Sequence, residues 1–432
     1  TVNNQISGSG YVMQSASGST LTLSGNNTFA GDVMITNDST LKVSSGSALG
    51  NNTGNIVVAN GSALDINNNN ISKPVIVSGT GMDGNGAIYS SSSGYPYISS
   101  ITLTGDTTFN VANRWDLNNS TLNTGGNAYN LTLNNSSYMQ WQNSTIDSAL
   151  GNIILTGGTR GLVGQNSFCD PDATLTLAGN STLIFYSTSY VNKQVDFQTG
   201  STITSYGNDV MNGTMTLESG VCSFSIPGGN SLTLSNSLTG SGILYQNNGN
   251  GTLILDGSSP SYTGNVALYD GTLVLNGSIG GSITSQSTTS VTGTGAASGL
   301  VDVNGTFNPG SIGGAGTFQA LGGLTLEGGA SVTYDLSDNA ISGNDLIQVT
   351  GDLNLNGNNL NINLIGGGLA DGTYTLATYT GNLNGSFGSV ATTVNTAYTL
   401  TLTNVTTTTP KQIQLIVSGT EKPSLLVWNN PI

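Results

Sequence analysis

The sequence predicts an all-β solenoid, and three observations predict it. Short strand motifs return at a fixed spacing: Thr20-Leu21-Thr22-Leu23 is answered by Thr40-Leu41-Lys42-Val43, and Thr252-Leu253-Ile254-Leu255 by Thr272-Leu273-Val274-Leu275. A period of roughly 20 residues, built of strands and Gly/Asn turns, is the signature of stacked coils. Apolar residues alternate with polar ones, as in Leu353-Asn354-Leu355 and Leu360-Asn361-Ile362-Asn363-Leu364, which is the spacing of a strand with one buried face. Helix signals are almost absent.

In order along the chain, residues 1–100 give strand cores at 21–23, 33–35, 41–43, 56–58, 64–66 and 75–77. Residues 101–245 continue less regularly, at 101–103, 109–111, 131–133, 153–155, 175–177, 195–197, 222–226 and 232–234, and aromatic residues are denser here. The regular motif returns over 250–300. This predicts coils over 1–300, with 105–245 as an irregular, aromatic-rich middle. Closing coils and a hairpin-like C-terminal cap follow over 301–418, and 419–432 reads as a linker and an apolar terminal strand. A strand of three to five residues is unstable alone, so coils must pair above and below. Leu, Ile and Val then line the axis, Thr suits the outer face, and Gly and Asn take the positive-φ corners. At about 20–25 residues per coil the chain makes roughly 17–21 coils, a rod on the order of 80–100 Å.

Composition excludes several classes. Apolar residues make up 36% of the chain, too many in too regular a pattern for disorder. The runs are too short for the strands of a transmembrane barrel, no segment is long and apolar enough for a membrane helix, and no signal peptide opens the chain. Membrane insertion is not expected. Acidic residues outnumber basic ones 22 to 7, so the net charge of −15 repels phosphate backbones and anionic lipid, and nucleic acid is a poor partner.

Residue types missing from the chain restrict its chemistry. With no histidine, Ser-His-Asp and Cys-His catalysis and most zinc sites are excluded. The one tight acidic pair in the middle, Asp170 and Asp172 around Pro171 and near Arg160, reads as a turn with capping aspartates. Glutamate occurs only at 218, 327 and 421. No calcium-binding repeat is present. No catalytic residue, metal or cofactor is expected, and the chain does not read as an enzyme. Cys222 alternates in phase with Phe224 and Ile226 and reads as buried, whereas Cys169 precedes an apparent Asp-Pro turn, which argues against a disulfide. Trp115 and Trp141, with Tyr138 and Tyr186, form a candidate glycan-stacking patch if they face outward and a core cluster if they do not.

Residues 18–31, Gly-Ser-Thr-Leu-Thr-Leu-Ser-Gly-Asn-Asn-Thr-Phe-Ala-Gly, resemble the autotransporter-associated β-strand repeat of bacterial passenger proteins, usually read as GTLTLSGNNTYTG. The match recurs at Gly251–Leu255 with Tyr262-Thr263-Gly264. Phe307–Gly310, Asp345–Leu353 and Gly372–Leu376 are similar to the closing part of such passengers. The resemblance covers about two thirds of the chain, and 105–245 matches only in texture. It implies a right-handed parallel β-helix displayed or released outside the cell, at a bacterial surface. The outer-membrane barrel of that family is missing from the sequence. Residues 1–10 resemble the middle of a repeat and residues 426–431 the opening of another, so the ends are expected to complete one another. Leu425, Leu426, Val427 and Trp428 are the candidate assembly strand, able to add to an exposed β-edge of a second copy. The reading is an extracellular structural rod that self-assembles head to tail, with an adhesin or glycan-binding rod as the alternative and extracellular glycans as its partner.

Overall fold

The computed structural model describes residues 1–134, 137–158, 160–164, 172–186, 189–311, 313–366, 368–392 and 398–419, with 160–164 and 392 described as backbone only. Cys169, Asp170, Pro171 and the candidate assembly strand 425–428 lie outside the described residues. The fold is all-β, a parallel β-solenoid of about 14 turns. Among the described residues the one helical element is a short 3₁₀ turn, Met82–Gly84. No described helix is long and apolar enough to cross a membrane. The chain divides into two compact units, Thr1–Leu253 and Ile254–Ile432.

In the first unit each coil begins with two strands. One ladder stacks Val12–Gln14, Val33–Ile35, Ile56–Val58 and Val75–Gly79, and a second stacks Thr20–Leu23, Thr40–Val43, Ala63–Asp65 and Ile88–Tyr89. The segments 101–103 and 109–111, expected as two strands, fall, Val111 apart, in one strand, Ser100–Asn110. Its first part pairs with Val75–Val77 and its last part with Leu131–Asn134, so one strand joins both ladders and Gly105-Asp106 does not break it. From Leu117–Asn118 onward a third ladder appears, stacking Tyr138–Gln142, Arg160–Gly164, Thr182–Tyr186, Thr202–Ser205 and Val221–Ser225. The aromatic-rich middle is therefore where the coil gains a side.

Packing follows from the register. Phe109, Leu133, Leu155, Leu177, Phe197 and Leu217 stand directly over one another in the second ladder, and all are buried. Each such side chain removed from water contributes about 1.5–3 kcal/mol. Asn37, Asn119 and Asn180 take positive φ at corners (59°, 52° and 61°), as expected for residues that tolerate the left-handed region. Two of the few basic residues are wholly enclosed. Lys73 Nζ donates to the Gly31 and Leu49 carbonyls at 2.8 and 3.2 Å, and Lys193 Nζ to the Leu150 and Gly151 carbonyls at 2.9 and 3.0 Å. Burial pushes the Lys73 ammonium below its ordinary pKa, opposed by the charge of Asp32. Cys222 is a free, buried thiol donating to the Phe197 carbonyl at 3.2 Å, and burial pushes it up to about 12.

The second unit also carries three ladders, one of which aligns Ile283, Val301, Leu324, Leu353 and Leu383. Coil length changes along it: equivalent residues are 17 apart at Asn265 and Ser282 but 30 apart at Asn354 and Asn384. The hairpin, Thr399–Val405 with Lys411–Ser418, pairs antiparallel onto Gly372–Tyr379 and closes one ladder.

Candidate functional site

The third ladder begins beside a concavity of about 880 Å³ in the first unit, lined by Tyr95, Asn113, Arg114, Tyr138, Gln140 and Tyr186 among others. That volume lies within the range of small-ligand sites, roughly 300–1,000 Å³. Strand alternation builds its floor. Arg114 and Asp116 are two residues apart and so emerge on one face, as do Tyr138, Gln140 and Gln142 on the next coil.

The electrostatic centre is a closed pair. Arg114 Nε donates to both Asp116 carboxylate oxygens at 3.0 and 3.1 Å, and Nη2 donates to Oδ2 at 2.8 Å. Nη2 also donates to Gln140 Oε1 at 2.6 Å. Asp116 is buried and accepts two further hydrogen bonds, from the Gln140 backbone at 2.9 Å and from Asn118 Nδ2 at 3.3 Å. A bidentate pair of this kind fixes the guanidinium plane, and one of its faces lies 4.5 Å from the centroid of the exposed Tyr95 ring. Gln140 Nε2 continues the network to Gln142 Oε1 at 2.9 Å.

Aromatic rings close the far side. Tyr186 and Tyr206, both well exposed, stack at 5.1 Å with 7° between their planes. Burial raises the Tyr186 hydroxyl above its ordinary pKa, with Tyr206 and Tyr138 reinforcing the shift and Arg114 opposing it. Tyr186 thus sits in the field of two groups of the same concavity, Tyr138 and Arg114, and of its stacking partner Tyr206.

The candidate stacking patch of four aromatics divides. Trp115 is buried, edge-on to Phe109 at 5.1 Å, with Nε1 donating to the Asn110 carbonyl at 3.1 Å, and Trp141 is buried at 3% exposure. Trp141 points into the coil because it alternates with Gln140 and Gln142 in Tyr138–Gln142, and Trp115, just before the strand Leu117–Asn118, is buried beside Asp116. Tyr138 and Tyr186 reach the concavity. Tyr95, Arg114 and Gln140 were not singled out by the sequence reading, although an Arg-x-Asp step in a chain with only seven basic residues was an available signal. Asp172 is exposed and does not line the concavity.

In chemical terms the site offers flat rings, amides and one neutralised guanidinium. No aspartate or glutamate is among its described lining residues, and Asp116 is held in five hydrogen bonds by Arg114, Asn118 and the Gln140 backbone.

No family model matches the chain, and no curated protein does. Among solved structures it is similar to the crystal structure of the Haemophilus influenzae Hap adhesin, with 12% identity and a TM-score of 0.34, over 96% of this chain. The chain spans 59% of the length of that structure. The solenoid itself is established by the strand register described above.

Proposed function

We propose that this chain is an exported β-solenoid that serves as an adhesin-like binding rod, taking an extracellular glycan in the concavity at the start of its third ladder, and that it is not an enzyme. The observation that carries the reading is the floor of that site: Arg114 neutralised by Asp116 and braced by Gln140, with the exposed rings of Tyr95 and Tyr186 beside it. Flat rings beside fixed amide and guanidinium donors match the alternating apolar faces and hydroxyl edges of sugars. End-to-end self-assembly through 425–428 is the second reading, carried by the apolar sequence of that segment. The test is binding of the whole chain to an immobilised glycan panel and to glycan-bearing cells, with Arg114→Ala as control. Retention of the wild type and loss in the variant supports the reading; equal behaviour of the two overturns it.

A further inference from the structure

The outer face of the second ladder carries a smaller cavity of about 250 Å³, lined by Thr40, Ala63, Met82, Asn85, Tyr89 and Asn110 among others. Thr40 and Ala63 pair in register and alternate with the inward Leu41 and Leu64, so their side chains face outward, yet both are buried. The cover is the segment 80–86, which reaches back over two coils and sets Met82 Sδ 3.8 Å from Thr40 Oγ1. Its shape is fixed by its own backbone: the Gly86 N–H donates to the Thr80 carbonyl at 2.7 Å and the Asn85 N–H to the Met82 carbonyl at 3.0 Å. Glycine is required at Gly86, where φ is 101° and a Cβ would lie 2.7 Å from Asn110. Asn110 Nδ2 donates to the Asn85 carbonyl at 2.8 Å and anchors the segment from the next coil.

We infer that this cavity is a subsite for one uncharged, N-acetylated sugar residue, its acetamido methyl against Ala63, Met82 and Tyr89 and its amide at Asn85. Size supports it: the volume exceeds the roughly 150 Å³ that holds a benzene ring and falls short of the roughly 300 Å³ at which whole small-ligand sites begin, so it takes one group of a longer ligand. Chemistry narrows the group. The Asn110 amide is used at both ends, by the Asn85 carbonyl and the Ala112 N–H, whereas the exposed Asn85 side-chain amide makes no hydrogen bond among the described residues. An idle amide beside a small apolar wall matches an acetamido group, which offers one N–H, one carbonyl and a methyl. An aromatic side chain of a protein partner would leave the Asn85 amide desolvated without a partner. No charged side chain is among the described lining residues, and Asp83 is exposed outside the cavity. Lys42, nearby in the ladder, is held by Asp65 at 3.6 Å and by Ser91 Oγ at 2.8 Å, so a charged ligand group would enter unpaired.

The ligand class rests on the glycan-binding reading, but the subsite shares no lining residue with the concavity at Arg114, and the experiment separates the two. The whole chain is titrated with N-acetylglucosamine oligomers and with identically linked glucose oligomers, which lack the acetamido group. Both series are then titrated into Ala63→Leu, which fills the cavity, and Asn85→Ala, which removes the amide and keeps the backbone carbonyl that Asn110 uses. The expected result is a roughly tenfold preference for the N-acetylated series in the wild type and loss of that preference in both variants. Should Ala63→Leu fail to fold, Asn85→Ala on its exposed segment decides, with saturation transfer to the acetamido methyl protons as the second readout. Equal affinity for the two series in the wild type, or a preference that survives the variants, overturns the subsite while leaving glycan binding at Arg114 standing. Displacement of the oligomer by an aromatic peptide whose own binding is lost in Ala63→Leu assigns the cavity to a protein partner and overturns the subsite too. Absence of binding to both series overturns the subsite alone where the glycan panel still retains the chain, and the proposed function with it where the panel does not.

Discussion

The two units meet the same problem, satisfying polar backbone that the coil encloses, with different sets of charges. The first unit encloses ammonium groups as well as carboxylates: Lys73 and Lys193 reach carbonyls on earlier coils, and Asp65, Asp116 and Asp209 are buried too. Among the described residues of the second unit the enclosed ions are carboxylates alone. Asp345 accepts from the Gly316 and Asp335 backbone at 2.8 and 2.7 Å, and Asp335 accepts from Gly313 and Gly314 at 2.7 and 3.1 Å and from the side chain of Asn363. Cations suit corners where carbonyls converge, and anions suit Gly-rich corners where N–H groups converge. The difference shows that a solenoid of low charge still needs ions, placed where a neutral side chain has too few donors or acceptors. Only the first unit therefore answers to loss of an enclosed ammonium, while burial raises a carboxyl in each, Asp209 in the first and Asp345 in the second.

The largest expected effect is loss of an enclosed ammonium. Lys73→Met keeps most of the aliphatic volume but strands two enclosed carbonyls, so the first unit should lose on the order of 3 kcal/mol. Lys42→Met makes the control, because Lys42 is partly exposed and its ion pair with Asp65 spans 3.6 Å; a change under about 0.5 kcal/mol is expected. Urea unfolding of both variants measures this. Equal costs at the two positions would remove the distinction between enclosed and surface cations.

Next in size is the pH response of the second unit. Burial pushes the Asp345 carboxyl up to about 7, partly offset by hydrogen bonds from the Asp335 and Gly316 backbone. A folded pKa above the unfolded one means the folded state holds the extra proton. Its stabilising contribution is therefore full in acid and is lost as pH rises from about 4 through 7. Between pH 5 and 8 the second unit should weaken by on the order of 2 kcal/mol, and Asp345→Asn should flatten that dependence. Asp147 in the first unit runs the other way: hydrogen bonds from the Ala149 and Thr124 backbone hold it near 2, so its contribution is present above pH 4 and is lost toward pH 2. Two-step thermal unfolding followed at pH 3, 5 and 8 separates the slopes; a common slope in both steps would sink the comparison.

How much of this was legible follows from the same chemistry. The first and second ladders were readable because inward Leu, Ile and Val alternate with outward Thr, as in Thr174–Leu177. The third ladder was legible only at 222–226: Tyr138–Gln142 carries amides and aromatics outward, and Leu183-Ile184-Phe185 breaks the alternation with three consecutive buried residues. Ser100–Asn110 read as two strands because Gly105-Asp106 looks like a turn, yet pairing on both flanks keeps it extended. Tyr138 and Tyr186 were visible as site candidates by residue type alone. Their meeting with Tyr95 and Arg114 was not, since it depends on coil offsets of more than 20 residues whose length drifts along the chain. Nor did the sequence distinguish outward tyrosines from inward tryptophans, because both lie in strands that alternate.

The smallest expected effect tests whether the tyrosine stack belongs to the site or to the scaffold. Tyr206 is 47% exposed and meets Tyr186 face to face, whereas Phe318 is fully buried and meets Phe307 edge-on at 5.1 Å in the second unit. Ring–ring contact alone is worth about 0.5–1.5 kcal/mol, and burial adds several kcal/mol only where the ring leaves water. Tyr206→Ala should therefore cost under about 1 kcal/mol, and Phe318→Ala about 3 kcal/mol or more. Denaturant unfolding of the two variants gives the ratio. A cost at Tyr206 approaching that at Phe318 would make the stacked pair a structural prop, and the exposed face of Tyr186 would then be a by-product of packing rather than a surface kept open for a ligand.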